Sequence, residues 1–313
     1  MISGALIYSH PPRTPIFISR EAVVPRVSPP KTPVTLLFVG DIMLSRSVGD
    51  TMQFRNDWTW PFTRIASATR LADVAFGNLE TTISTRGFTS GCGFCFRANP
   101  RVVEGLLYGG FDVLSVANNH IWDYGRPAFD DTIAILASNG MQVVGGGRTL
   151  DGARGPVVVT VRGTKIAYLA YTDILPPSSQ ATATLSGANR YDALRMAEDI
   201  VHSRTLADVV IVSFHTGTEY EALHNTTQER IYRAAIDAGA DLIVGHHPHV
   251  VQDIEQYKNK WIVYSLGNFI FDQNWSLATR QGMMLDVVVE NGSITSLATR
   301  SIDISTQYQP ALR

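Results

Sequence analysis

A chain of 313 residues, 45% hydrophobic and 17% charged, has the composition of a globular protein with a well-buried core, arranged as one large domain or two smaller ones. The net charge of −2, with no Lys/Arg run to track a phosphate backbone, excludes nucleic acid as a partner. From residue 34 onward the longest apolar stretches are strand-sized, which excludes a bilayer span inside the folded part.

The segment Ile2 to Tyr8 is apolar but short, and it lacks the basic flank of a signal peptide. Pro11, Pro12, Pro15, Pro25, Pro29, Pro30 and Pro33 follow, a density that suits an extended spacer better than a packed element. Residues 1–33 therefore read as a Pro-rich tail or stalk. Two readings of it stand: a floppy tail, or the remnant of a membrane anchor lying before or within residues 1–8. Residues 34–313 read as the folded domain.

In that domain Val34 to Val39, Ala72 to Phe76, Phe111 to Val116, Val209 to Phe214 and Leu242 to Val244 are apolar on both faces and rich in β-branched residues, which predicts buried strands. Phe129, Ile133 and Leu136 recur at helical spacing, as do Ile231, Ala235 and Ala238, and these helices are expected to stop near Gly140 and Gly239. Alternation of strand and helix predicts an α/β sandwich with a substantially parallel sheet. Beyond Val251 strands dominate: Trp261 to Ser265, Met283 to Val289 and Ile294 to Ala298, with Glu290-Asn291-Gly292-Ser293 as a hairpin turn. The two cysteines form Cys92-Gly93-Phe94-Cys95; without a second pair they make no zinc ribbon, and a local disulfide of an oxidising compartment is expected.

Each buried strand ends in side chains that bind metals. The first ends in Gly40-Asp41-Ile42-Met43, the second in Gly77-Asn78-Leu79-Glu80, the third in Ala117-Asn118-Asn119-His120, the fourth in His215 and the fifth in Gly245-His246-His247-Pro248-His249. Any one of these groups alone is more often a cap, a turn residue or a core histidine. Five together at the C-terminal edge of an open α/β sheet, where ligands bind, point to a site. Carboxylate, amide and imidazole without thiolate suit Mn, Fe or Zn more than Ca or Mg, as one ion or as a pair bridged by oxygen ligands.

The stretches Gly-Asp-Ile-Met-Leu-Ser-Arg (40–46), Asn-Leu-Glu (78–80), Phe-Arg-Ala-Asn-Pro (96–100), Ala-Asn-Asn-His-Ile-Trp-Asp-Tyr-Gly (117–125), His-Thr-Gly-Thr-Glu-Tyr (215–220), Gly-His-His-Pro-His-Val-Val-Gln (245–252) and Tyr-Ser-Leu-Gly-Asn-Phe-Ile-Phe-Asp (264–272) resemble, in order, the motifs of the CapA proteins. These are bacterial poly-γ-glutamate capsule biosynthesis proteins, a branch of the calcineurin-like metallophosphoesterase superfamily. The resemblance implies a four-layer α/β/β/α sandwich, a metal centre at the strand ends, and an extracytoplasmic protein of the cell envelope, typically held to the membrane by an N-terminal helix. It makes Asp41, Glu80, Asn119, His215, His247 and His249 candidate metal ligands and His120 the candidate general acid. Asp123, three residues on, either orients the His120 ring or caps the turn before Tyr124-Gly125.

Three departures from the phosphoesterase pattern matter. Met43 stands where a histidine is usual, and a thioether is a poor ligand for a hard divalent ion. Asn78 stands where a bridging Asp is usual, so either Asn78 takes that place or the longer, charged Glu80 does; Glu80 is favoured. Thr216 replaces a tryptophan and should alter the pocket wall more than the metal. Arg46 and Arg97 are the candidate substrate-binding residues, since a guanidinium grips a carboxylate or phosphate with two hydrogen bonds. A surface ion pair is the competing role, and for Arg97 the two stay equal.

The leading expectation is a metal-dependent hydrolase of capsule assembly, acting on an anionic polymer such as poly-γ-glutamate or on a phosphoester, alongside a membrane-bound synthase complex. The alternatives are a non-catalytic assembly or export factor with a structural or ligand-binding metal site, and a general phosphodiesterase.

Overall fold

Side chains alternate along the strand Val34–Ile42: Leu36 and Phe38 face one way, Leu37 and Val39 the other, and all four are buried. Such a strand needs cover on both sides. In the computed structural model, which describes residues 1, 32–89 and 91–313, Leu36 and Phe38 meet Tyr168, Ile211 and Val244 in a core between two sheets. Leu37 and Val39 share an outer core with Val48, Leu106 and Phe129 from the helices Arg46–Arg55, Val103–Gly109 and Gly125–Ser138. Beyond the second sheet, Leu169, Val212 and Ile243 pack against Ile200 of helix Ala193–Arg204 and Ile231 of helix Thr226–Asp237. Three cores between four layers make the expected α/β/β/α sandwich. The described residues from Thr32 onward pack as one unit. The tail and anchor readings of residues 2–31 lie outside the described residues, among which no helix is long and apolar enough to cross a membrane.

The first sheet runs in the order Pro310–Leu312, Ser293–Ile304, Gln281–Glu290, Val34–Ile42, Val74–Leu79, Val113–Ser115, Gln142–Val144, with Asn268–Ile270 paired to the end of Val34–Ile42. It is parallel from Val34 to Val144 and antiparallel at the other edge, so the sheet is mixed. The second runs Ile254–Tyr257, Lys260–Val263, Leu242–His246, Val209–His215, Thr164–Thr172, Val157–Val161. Glu290 pairs with Ser293 across a turn in which Asn291 and Gly292 have φ of 50° and 75°, as the two-residue hairpin requires.

Boundaries moved for identifiable reasons. The expected strand from Ala72 begins instead at Val74, because Asp73 turns its carboxylate to the Thr35 backbone N–H (2.9 Å) and to Arg162. The expected strand Phe111 to Val116 shortens to Val113–Ser115, and Asp112 bonds the Ala75 N–H at 2.8 Å. The first strand continues through Gly40 and Asp41 to Ile42, so Asp41 is a strand residue with a fixed register. The strand expected to Ser265 ends at Val263, since residues 264–268 leave it to join the sheets. Leu266 N–H donates to Gly245 O of the second sheet (3.1 Å), and Asp41 N–H of the first donates to Gly267 O (3.0 Å). A Cβ at Gly40 or Gly245 would overlap a carbonyl of this segment, Gly267 O or Tyr264 O.

Candidate metal centre

Register places the ligand-competent groups. Asp41 lies opposite Asn78 in the first sheet, and His215 opposite His246 in the second. The stitched seam then brings the two pairs together: Asn78 Nδ2 donates to Asp41 Oδ1 at 2.8 Å and lies 3.1 Å from His215 Nδ1. His215 Nε2 sits 2.8 Å from Asn119 Oδ1 and 3.2 Å from His247 Nδ1. His249 Nδ1 is 3.3 Å from Asp41 Oδ2 and 3.0 Å from Asn268 Oδ1. The ligand atoms of Glu80, His215 and His247 all fall within 4.8 Å of one another, and so do those of Asp41, Glu80 and His249. All six expected ligands, Asn119 included, thus converge from both sheets.

Glu80 tests whether a cation fits. Its side chain is fully buried and neither carboxylate oxygen has a hydrogen-bond partner among the described residues. Oε1 is ringed by Nε2 of His215, His249 and His120 at 3.7, 3.8 and 3.9 Å. Burial first, then the neighbouring charges of Asp41, Glu219 and Asp123, raise its pKa well above the usual carboxylate range. Burial lowers His215, with His247 adding to the effect, and lowers His247 to about 3, with His249 adding. Burial also opposes ionisation of Asp41, but its contacts with His246 and His249 outweigh that and hold it ionised. The neutral imidazoles of His215 and His247 beside a buried carboxyl group without a hydrogen-bond partner among the described residues make the donor set of a divalent ion, and these residues fit one.

His247 and His249 reach the centre at φ of 100° and 59°, unusual for residues with a side chain, with Pro248 between them. His246 stays in its strand, fully buried, with Nδ1 3.5 Å from Asp41 Oδ1. Asn78 contributes its amide as a donor to Asp41, with Oδ1 engaged by Asn118 Nδ2 at 3.2 Å. Met43 points away into the outer core, where its sulfur accepts from Ser45 Oγ at 3.1 Å.

Beside the centre, His120 Nδ1 lies 2.8 Å from Asp123 Oδ2, which also accepts from Phe96 N–H at 2.7 Å. The Phe96 ring stacks on His120 with centroids 3.8 Å apart. Asp123 therefore contacts the ring, one of its two expected roles. Arg46 bonds Asp272 through both Nε (3.0 Å) and Nη2 (2.7 Å), so the fork expected to grip substrate already holds a protein carboxylate. Arg97 stacks over Tyr124 at 4.2 Å and donates to the carbonyls of Arg86 and Gly87. Cys92 and Cys95 form a disulfide next to Phe96.

Glu219, Asn268 and Asp272 carry contacts at the site that their place in the sequence did not single out. Glu219 can share an ion with His247 and His249. Each of the three lies inside a motif stretch named above, and that was the available signal.

A four-layer α/β/β/α sandwich with carboxylate, amide and imidazole groups meeting at the strand C-termini defines a class of α/β fold with a candidate metal centre at the sheet edges. Within it, the chain belongs to the bacterial capsule synthesis protein PGA_cap family, whose profile matches residues 35–273. It is 31% identical over 281 residues to the capsule biosynthesis protein CapA of Bacillus anthracis, spanning 87% of this chain and 68% of that one. It is 33% identical over 270 residues to the PGA biosynthesis protein CapA of Bacillus subtilis (strain 168), spanning 85% and 70%. A hypothetical protein from Thermus thermophilus shares the fold at a TM-score of 0.55 and 15% identity, over 86% of this chain and 99% of that one.

Proposed function

We propose that this protein is a metal-dependent hydrolase of poly-γ-glutamate capsule biosynthesis that works on the anionic polymer or on a phosphoester of its assembly. The observation that carries this reading is Glu80, a buried carboxylate without a hydrogen-bond partner among the described residues and ringed by imidazoles. Asp41, Glu80, Asn119, His215, His247 and His249 would hold one or two ions of Mn, Fe or Zn, which the oxygen and nitrogen donor set favours. When bound, such an ion supplies Lewis acidity and makes hydroxide available near neutral pH.

The chain's own residues do the rest. Asp123 holds the Nδ1 proton of His120 and stabilises the imidazolium, which leaves the Nε2 proton to be donated to the leaving oxygen. Phe96 covers one face of that ring and limits water there. Asn78 holds Asp41 and His215 in place through one amide. The Cys92–Cys95 disulfide supports an extracytoplasmic place at the cell envelope, where a membrane-bound synthase complex is the expected partner. Protease digestion of the protein in intact spheroplasts, with a cytoplasmic marker spared, checks the location.

Elemental analysis of the purified protein should find divalent metal. Cleavage of γ-glutamyl polymer or an aryl phosphoester should stop with chelator and fall about 10²- to 10⁴-fold in His120→Asn. Bound metal with no turnover, or with chelator-insensitive turnover, would favour the assembly-factor role instead. Equal rates for wild type and His120→Asn would remove His120 as the acid.

A further inference from the structure

The helix Gly125–Ser138 places Arg126, Phe129, Asp130 and Ile133 on one face, at spacings of one helical turn. With Arg148, Leu185 and Ser186 they line a cavity of about 340 Å³ that shares no residue with the metal centre. Its walls are built. The 182–185 turn is closed by Thr182 Oγ1, which accepts from Leu185 N–H at 3.0 Å, and it is tied to the helix Leu150–Arg154 by Leu150 N–H donating to Thr182 O at 2.7 Å.

Three charged side chains meet here without a salt bridge among the described residues. Neither Arg126 nor Arg148 forms a salt bridge among the described residues, whereas Arg86, Arg154, Arg162, Arg233 and Arg300 each do. Arg126 stacks over Trp122 at 4.9 Å, and its Nη1 is cut off from solvent with no hydrogen-bond partner among the described residues. Asp130 is exposed at the same mouth without a salt bridge among the described residues. With no counter-ion among the described residues and one face on Trp122, the rest of the Arg126 guanidinium can take an acceptor from the cavity it lines.

We propose that this cavity is a second binding site, for a short carboxylate that also carries a primary amine: free glutamate or the amino end of a γ-glutamyl chain. The guanidiniums of Arg126 and Arg148 take the carboxylates. Asp130 takes the ammonium and disfavours a phosphate dianion, which has no positive group to offer it. Ile133 and Leu185 offer apolar surface for the methylenes between. The assignment of the ligand to the polymer rests on the capsule reading above; the assignment of a carboxylate with an amine rests on the cavity.

Calorimetric titration of the full chain with L-glutamate, γ-linked triglutamate, glutarate and inorganic phosphate tests it. Glutamate or the tripeptide should bind saturably and tighter than glutarate, which lacks only the amine, and phosphate should bind least. Stronger binding of the tripeptide assigns the site to a polymer end, equal binding to the free amino acid. Arg126→Met and Arg148→Met should each weaken binding about tenfold or more, and Asp130→Asn should erase the preference over glutarate. Arg148 is exposed, so its variant keeps the question open to test should Arg126→Met not fold. Chelator and Glu80→Gln should leave binding unchanged, which separates this site from the metal centre. No saturable binding, binding indifferent to both arginine variants, phosphate binding as well as glutamate, or binding lost with chelator would each overturn the proposal.

Discussion

Glu80→Gln is expected to empty the metal centre while making the metal-free protein more stable. The carboxylate belongs to two of the three candidate ligand groups among the described residues, so its loss should reduce metal affinity more than the ten- to hundredfold typical of a residue that merely orients a ligand. Without metal, the same group is a liability: fully buried, without hydrogen bonds among the described residues, and close to Asp41. Neutralising it should raise metal-free stability by about 1–3 kcal/mol. The pH dependence follows from its raised pKa. The folded metal-free state holds the Glu80 proton more tightly than the unfolded chain does, so its contribution is fully present below the unfolded value of about 4.3 and is lost as pH rises through the folded value. The variant should lack that decline. Asp41, shifted the opposite way, loses its contribution only as pH falls through its own lowered folded value, at the acid end of the range. Denaturant melts of chelated protein between pH 4 and 8, beside elemental analysis of the untreated protein, read both effects. Full metal occupancy in Glu80→Gln would refute the centre as described, and so would a less stable metal-free variant.

The convergence was legible because buried strands are apolar on both faces. A polar residue at the end of such a run, as in Asp41, Asn78 or His215, stands out against Leu36 to Val39, Val74 to Phe76 or Val209 to Phe214. The strand Thr164–Thr172 offered less contrast: Lys165, Tyr168, Tyr171 and Thr172 interrupt its apolar pattern, although Tyr168 lies in the central core. Pairings distant in sequence were invisible for a different reason. Arg46 and Asp272 are 226 residues apart, and only the placement of Asn268–Ile270 beside Asp41 and Ile42 brings them together. A guanidinium inside a motif stretch looked placed for substrate, and the fold had already supplied its carboxylate from Asp272. Asn268 was hidden likewise: it sits in a recognised motif, but its contact with His249 depends on the turn through positive-φ Gly267.

Gly245→Ala should unfold the protein at markedly lower temperature and take the metal centre with it. A methyl group there would overlap Tyr264 O and crowd the Tyr232 hydroxyl, and the carbonyl belongs to the backbone segment that carries the chain from one sheet to the other. Neither side can yield cheaply. The Gly245 carbonyl accepts from Leu266 N–H, Leu266 O accepts from Met283 N–H at 2.9 Å, and Gly267 O accepts from Asp41 N–H. Displacing Tyr264 therefore pulls on a ligand strand in each sheet: His246 and His247 follow Gly245 directly, and Asp41 hangs from Gly267. Backbone overlap in a packed core belongs with the largest single-residue losses, above about 4 kcal/mol, or on the order of 10 °C in melting temperature for a domain of this size. Gly163→Ala is the control, since Gly163 also has a positive φ, of 76°, but nothing stands within reach of its added methyl. It should cost only the backbone strain, about 1 kcal/mol, and retain its metal. A melting temperature for Gly245→Ala close to that of Gly163→Ala would mean that the two sheets are not joined through this seam, and the geometry that brings Asp41 to the histidines would lose its support.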